Sequence, residues 1–134
     1  MASVIDPKAL YTKTHEWVRL EGETALAGIT DYAQDQLSDI VYVELPEVGD
    51  SFDAGAVFCT VESVKAASDC YAALRGSIVE VNETLVDHPD VINSDPYGAG
   101  WLARFRMADP ALAAGLMTPD EYAAFVERAE QEGH

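Results

Sequence analysis

Apolar residues in this chain come in short runs that mostly alternate with polar ones and stop at turn signals. HEWVRL (15–20) and ETALAGI (23–29) alternate with period two across Leu20-Glu21-Gly22-Glu23, which predicts a hairpin. IVYVEL (40–45) reads as a strand that stops at Pro46, ahead of the turn-rich EVGD. AVFCTVES (56–63) and AASDCYA (66–72) predict a second hairpin, and SIVEVN (77–82) and WLARFR (101–106) predict further strands, separated by the long loop HPDVINSDPYGAGW. IVYV at 40–43 is echoed by IVEV at 78–81, a weak repeat that suits a fold of two similar halves. Many short strands with few helices require a mainly β sandwich or barrel.

Helical signals flank these strands. Thr30 is placed to cap a short helix over DYAQDQL (31–37), and Asp109-Pro110 to start another over 110–116. Thr118-Pro119-Asp120-Glu121 has the form of a capping box with proline at the first helical position. After it, Tyr122, Phe125, Val126 and Ala129 fall on one helical face, which predicts a C-terminal helix over about 118–131 packed on the sheet.

The chain has 134 residues, enough for one domain with its own core. Its net charge of −16 repels nucleic acid and anionic lipid, which argues against both as partners. The acidity suits solubility and encounters with basic patches on proteins. No apolar run approaches membrane-spanning length. MASVIDPKALYTK lacks the features of a signal or transit peptide, so the expected location is the cytoplasm, or the mitochondrial matrix if a presequence has been removed. Two cysteines, Cys59 and Cys70, point to a reducing compartment, with both thiols filling a small-residue interior. No long apolar stripe is left over after the core is assigned, so a monomer is expected.

Lysine occurs only at positions 8, 13 and 65, and Lys65 lies at the centre of ESVKAAS (62–68). Arginine would supply a charge equally well; lysine alone supplies a compact amine that can be acylated. A two-residue loop at Val64-Lys65 sets Cys59 opposite Cys70 and Thr60 opposite Asp69. β-branched Val64 resists positive φ, so a type I-like turn beginning at Ser63 is expected. Ala66, Ala67 and Ser68 are too small to cover the lysine, so the amine is presented. The alternative on spacing alone is a solvated charge that guards a strand edge.

Across nearly its whole length the sequence resembles the H protein family of the glycine cleavage system. The resemblance rests on YTKTHEWV (11–18), GITDYAQ (28–34), IVYVELPEVGD (40–50), VESVKAASD (61–69), GSIVEVN (76–82) and the pattern of Asn93, Pro96, Tyr97, Gly100 and Trp101. Ala73 and Arg75 depart from it, where the family often has proline and serine. The resemblance implies a single lipoyl-carrier domain over 1–134 with a lipoyl-domain-like fold, a barrel-sandwich hybrid of two small antiparallel sheets with short flanking helices and the C-terminal helix. It implies lipoic acid in amide linkage on Lys65. The protein would be a carrier and no enzyme, passing an aminomethyl group from a pyridoxal-phosphate glycine decarboxylase to a tetrahydrofolate-dependent aminomethyltransferase. A flavin-dependent dihydrolipoyl dehydrogenase and lipoylating enzymes would be its other partners. Thr14, Glu16 and Asp69 would form the cleft that holds the loaded arm.

Other readings are weaker. An H-like relay that hands its lipoyl group to other enzymes is the second reading, and Thr14, Glu16 and Asp69 favour the first. A biotinyl carrier would set its lysine between methionines, and a lipoyl domain of a 2-oxo acid dehydrogenase would have Asp before it; here the neighbours are Val64 and Ala66. Nothing near Cys59 or Cys70 would activate a thiol. Gly98-Ala99-Gly100-Trp101-Leu102-Ala103 opens a strand, the wrong context for a dinucleotide site. His15, His88 and His134 lack zinc spacing, and His15 is expected to be structural or to brace the cleft through Glu16. Trp17 and Trp101 are expected to anchor the core.

Overall fold

The alternating segments fold as nine strands in the computed structural model, which describes residues 3–132 and, of residues 110, 112, 114 and 132, the backbone alone. In chain order they are β1 (Leu10–Tyr11), β2 (Glu16–Glu21), β3 (Thr24–Ile29), β4 (Ile40–Glu44), β5 (Ser51–Phe52), β6 (Val57–Ser63), β7 (Ala67–Tyr71), β8 (Gly76–Val81) and β9 (Ala103–Met107). One antiparallel sheet has the order β1-β2-β3-β9-β8-β5 and the other β4-β6-β7. Both contribute to one core, in which Phe58 of the small sheet meets Phe105 of the large one edge to face at 5.1 Å. Two antiparallel sheets closing on a shared interior make the barrel-sandwich hybrid that the resemblance implies.

The echo between IVYV and IVEV has a structural counterpart. β4 is bulged between Ile40 and Tyr42, and β8 is bulged at the matching place between Ile78 and Glu80. In each sheet the isoleucine is buried and the following valine is extruded and exposed. One extra residue bends each strand at the same point, which turns both sheets around the interior.

Helix α1 (Asp31–Leu37) begins where Thr30 accepts a hydrogen bond from the Ala33 N–H. Asp109 caps the short 3-10 helix over Pro110–Gly115 in the same manner, accepting from the Ala111 N–H. The segment expected to be one long loop, 88–101, contains a single-turn helix, α3 (Val91–Ser94), and a second, α2 (Thr84–Asp87), precedes it; each buries one aliphatic side chain, Ile92 and Leu85. Helix α4 (Pro119–Glu132) starts on a closed capping box: the Thr118 N–H donates to Glu121 and the Glu121 N–H donates back to Thr118. Its Tyr122 and Val126 are buried with Tyr11, Trp17 and Leu26 in a second cluster. β3 is therefore covered on both faces, with Ala25, Ala27 and Ile29 in the main core and Leu26 in the second cluster. This explains why ETALAGI is apolar at nearly every position.

Candidate functional site

The lysine hairpin has the register expected from its sequence: Cys59 pairs with Cys70, Thr60 with Asp69, Val61 with Ser68 and Glu62 with Ala67. Neither tip residue has positive φ. The Ser63 hydroxyl holds the turn, accepting from the backbone N–H groups of Lys65 and Ala66 at 3.1 and 3.0 Å, and the Ser63 N–H donates to the Ala66 carbonyl at 2.8 Å. Val64 is tied down by its own N–H, which donates to the carbonyl of Asp39 just ahead of β4. Backbone and serine thus fix the tip, and the lysine side chain is not needed to hold it. Lys65 is exposed, as are Val64, Ala66 and Ala67, and it joins none of the five ion pairs among the described residues.

A polar cleft is built where β1 turns into β2. Thr12 and Glu16 close a three-residue loop, with the Thr12 N–H donating to the Glu16 carbonyl and the His15 N–H to the Thr12 carbonyl. His15 takes the left-handed position of this loop, φ 70°, which is normally glycine's. That costs a residue with a Cβ roughly 1–2 kcal/mol. Contacts of its ring offset the strain: Nδ1 lies 2.8 Å from the Tyr122 hydroxyl, which lies 2.7 Å from the Thr30 hydroxyl, and the ring packs on Tyr32 and Phe125. His15 therefore binds the loop to α1 and α4, and burial lowers its pKa.

The loop delivers Glu16 inward, with only 2% of its surface exposed. Its Oε1 accepts from the hydroxyls of Thr12 and Thr14 at 2.6 and 2.5 Å, and its Oε2 accepts from the Tyr71 N–H at 3.2 Å. Burial pushes the Glu16 pKa up, and those donors pull it part of the way back. Because the raised value belongs to an acid, Glu16 favours the fold below its ordinary titration range. That contribution is lost as pH rises through the folded value. The carboxylate opens onto a cleft of about 410 Å³ whose other walls include Thr12, Thr14, Tyr71, Ala72 and Ala73.

Residues 9–129 match the family model described as "Glycine cleavage H-protein". The chain belongs to the glycine cleavage H-protein family. The H protein of Rubrobacter xylanophilus is 51% identical over 121 residues, covering 90% of this chain and 94% of that one. The H protein of Halothermothrix orenii is 48% identical over 121 residues, covering the same shares. A crystal structure of a glycine cleavage system H protein from Mycobacterium marinum superposes with a TM-score of 0.82 at 40% identity. It covers 97% of this chain and 100% of the other.

Against the family's expected cleft, Thr14 and Glu16 come together and Asp69 stands apart. Asp69 is exposed on β7, accepts a 3.4 Å hydrogen bond from Thr60, and does not line the cleft. Thr12 and the Tyr71 N–H were not singled out from the sequence, yet they supply two of the three donors to Glu16. The only sequence signal for Thr12 is its position two residues before Thr14; a backbone donor leaves none. His15 faces α4 and does not contact the Glu16 carboxylate.

Cys59 and Cys70 are buried, free and directly opposed. The Cys59 thiol and then burial hold the Cys70 thiol well above its usual range, which disfavours the nucleophilic thiolate. The glycine run at 98–100 is a turn, with the N–H groups of Gly98 and Gly100 both donating to the Asp95 carbonyl. Among the described residues no three His, Cys, Asp or Glu side chains are grouped to hold a metal, and no helix is long and apolar enough to cross a membrane. His134 lies outside the described residues. Trp17 is wholly buried, whereas Trp101 is half-buried beside the second cluster.

Proposed function

We propose that Lys65 carries lipoic acid in amide linkage and that the protein is a single-domain lipoyl carrier of the glycine cleavage system. It serves the glycine decarboxylase, the aminomethyltransferase, dihydrolipoyl dehydrogenase and the lipoylating enzymes in turn. The observation that carries this reading is an unpaired amine at the rigid tip of a hairpin whose far end meets a buried carboxylate. Once attached to Lys65, a lipoyl group would supply dithiol–disulfide chemistry. The residues present fit such an arm. Ala66 to Tyr71, at about 3.3 Å per residue, separates the tip from the cleft by roughly 17 Å, a span a long acyl-lysine arm can address.

Each residue then has a physical task. Ser63 and the Asp39 carbonyl hold the tip, which narrows the volume the arm explores and raises its effective concentration at partner sites. Glu16, largely desolvated, is the partner for an alkylammonium group entering the cleft, whose positive charge would favour the ionised carboxylate. Thr12 and Thr14 orient that carboxylate, and Asp69 lies on the approach between tip and cleft. The opposed free thiols suit a reducing compartment, the cytoplasm or a mitochondrial matrix.

The test is peptide mapping of the intact protein after incubation with a lipoate ligase, lipoate and ATP. The lipoyl increment is expected on the peptide containing Lys65 and not on those containing Lys8 or Lys13. An increment elsewhere, or none, rejects the assignment. Glu16→Ala is expected to leave this labelling intact and to shorten the half-life of the aminomethyl-loaded arm by about tenfold or more, the worth of one charge-assisted hydrogen bond. An unchanged half-life would remove Glu16 from the shelter.

A further inference from the structure

We infer that His15 and Tyr122 are positioning residues for the Glu16 carboxylate, closing a one-way cycle of hydrogen bonds that ties the cleft loop to α1 and α4. The consequence for the arm rests on the carrier reading above; the cycle itself is a property of the bare protein. Thr30 and His15 are joined twice. The Thr30 N–H donates to the His15 carbonyl at 3.1 Å, and the two side chains meet through the Tyr122 hydroxyl. The direction of each bond follows from the supply of donors and acceptors. Thr30 is fully buried, and its hydroxyl oxygen already accepts from the Ala33 N–H. Among the described residues its one other side-chain partner is Tyr122, so the Thr30 hydroxyl donates to the Tyr122 oxygen. Tyr122 is equally buried, and His15 Nδ1 is the acceptor left for its proton. Neutral His15 therefore carries its own proton on Nε2.

This cycle stands one residue from the group it aims. Left-handed His15 is the corner of the loop, and Glu16 follows it directly. Within the loop, closure rests on two backbone hydrogen bonds, from the Thr12 N–H to the Glu16 carbonyl at 3.0 Å and from the His15 N–H to the Thr12 carbonyl at 3.2 Å. A strained corner needs an anchor outside itself, and the imidazole supplies one where glycine could not. Freed of that anchor the corner moves, and the Thr12 and Thr14 hydroxyls on Glu16 Oε1 move with it. Protonating His15 breaks the cycle at the same place, because Nδ1 becomes a donor facing a hydroxyl whose proton has no other acceptor. Burial already disfavours that protonation. The titratable groups packed on the imidazole are Tyr122 from α4 and Tyr32 from α1. Glu16 turns its carboxylate to Thr12, Thr14 and the Tyr71 N–H, and His15 joins no ion pair among the described residues.

The experiment begins with the full-length, unacylated, ¹⁵N-labelled protein. Imidazole nitrogen shifts are expected to show neutral His15 as the Nε2–H tautomer, with its titration midpoint moved up in Tyr122→Phe, which withdraws the donor to Nδ1. An Nδ1–H tautomer or an unmoved midpoint overturns the cycle. The lipoylated proteins are then loaded from glycine by the decarboxylase, and the half-life of the aminomethyl arm is followed. Tyr122→Phe keeps the aromatic ring stacked on Tyr11 at 4.4 Å and is expected to shorten that half-life by about fivefold, the worth of one hydrogen bond. His15→Gly suits the left-handed corner but has no imidazole, and it is expected to do the same. Val126→Ala removes buried packing from α4 and leaves the cycle intact, so it is expected to lower the urea midpoint yet keep the half-life within about twofold. A half-life that survives in Tyr122→Phe or His15→Gly, or that falls as far in Val126→Ala, overturns the positioning role and leaves the carrier reading standing. Failure to acylate Lys65 overturns the carrier reading and, with it, the role toward the arm.

Discussion

Lys65→Arg is expected to abolish lipoylation and all carrier activity while changing the stability of the fold by no more than about 0.5 kcal/mol. Arginine keeps the positive charge, the length and the exposure. Its guanidinium stays protonated and has no lone pair to attack an activated acyl group. The fold should tolerate it because nothing rests on the lysine side chain. The turn is held by the Ser63 hydroxyl and by the Val64 N–H, and Lys65 enters no ion pair among the described residues. Intact mass after ligase treatment, glycine-dependent turnover with the partner enzymes and urea unfolding together check this. Residual turnover would show that cargo can pass without the arm. Lost stability would show that the lysine is a structural residue.

The sequence was informative where a periodic pattern or a cap specifies backbone. The lysine hairpin register followed from a two-residue loop, because period-two strands joined by a short turn admit few alignments. Thr30, Asp109 and the box of Thr118 and Glu121 each mark a helix start by side-chain chemistry that is local in sequence. β1 and β5 were missed because two residues carry no period. The same applies to α2 and α3, single turns whose stability comes from burying Leu85 and Ile92. β9 begins at Ala103, after the turn that brings Trp101 to the second cluster, and not at Trp101 itself.

The site divides in the same way. Lys65, Thr14 and Glu16 stand in motifs. By contrast, the Thr12 contact arises from closing a loop, and the Tyr71 N–H becomes available only because β7 is a sheet edge. Those facts belong to tertiary structure. Asp69 shows the limit of a motif: it is on the right strand, but its side chain turns to Thr60.

Trp17→Ala is expected to remove about 3–5 kcal/mol of stability, a large part of the roughly 5–15 kcal/mol typical of a domain. Trp17 has no exposed surface, its indole N–H donates to the Pro96 carbonyl at 3.0 Å, and the Arg19 guanidinium lies 4.9 Å from the ring centre. The opposing residue on β3 is Gly28, where a Cβ would sit 2.8 Å from the indole, so the strand pair is shaped around this one side chain. Deleting the ring leaves a cavity and an unpaired carbonyl between β2 and the 96–101 turn. With a urea m-value of about 2 kcal/mol/M, the midpoint should fall by roughly 2 M. Trp17→Phe, which keeps most of the apolar contact and loses the hydrogen bond, should lose clearly less. Because Trp17 follows Glu16 on the same strand, a loosened β2 also admits water beside the carboxylate. The loaded arm should then decay faster in Trp17→Ala even under conditions where the variant is folded. A midpoint within about 0.5 M of the unmodified protein would mean that the second cluster contributes little, and that the cleft is held by the Thr12–Glu16 loop alone.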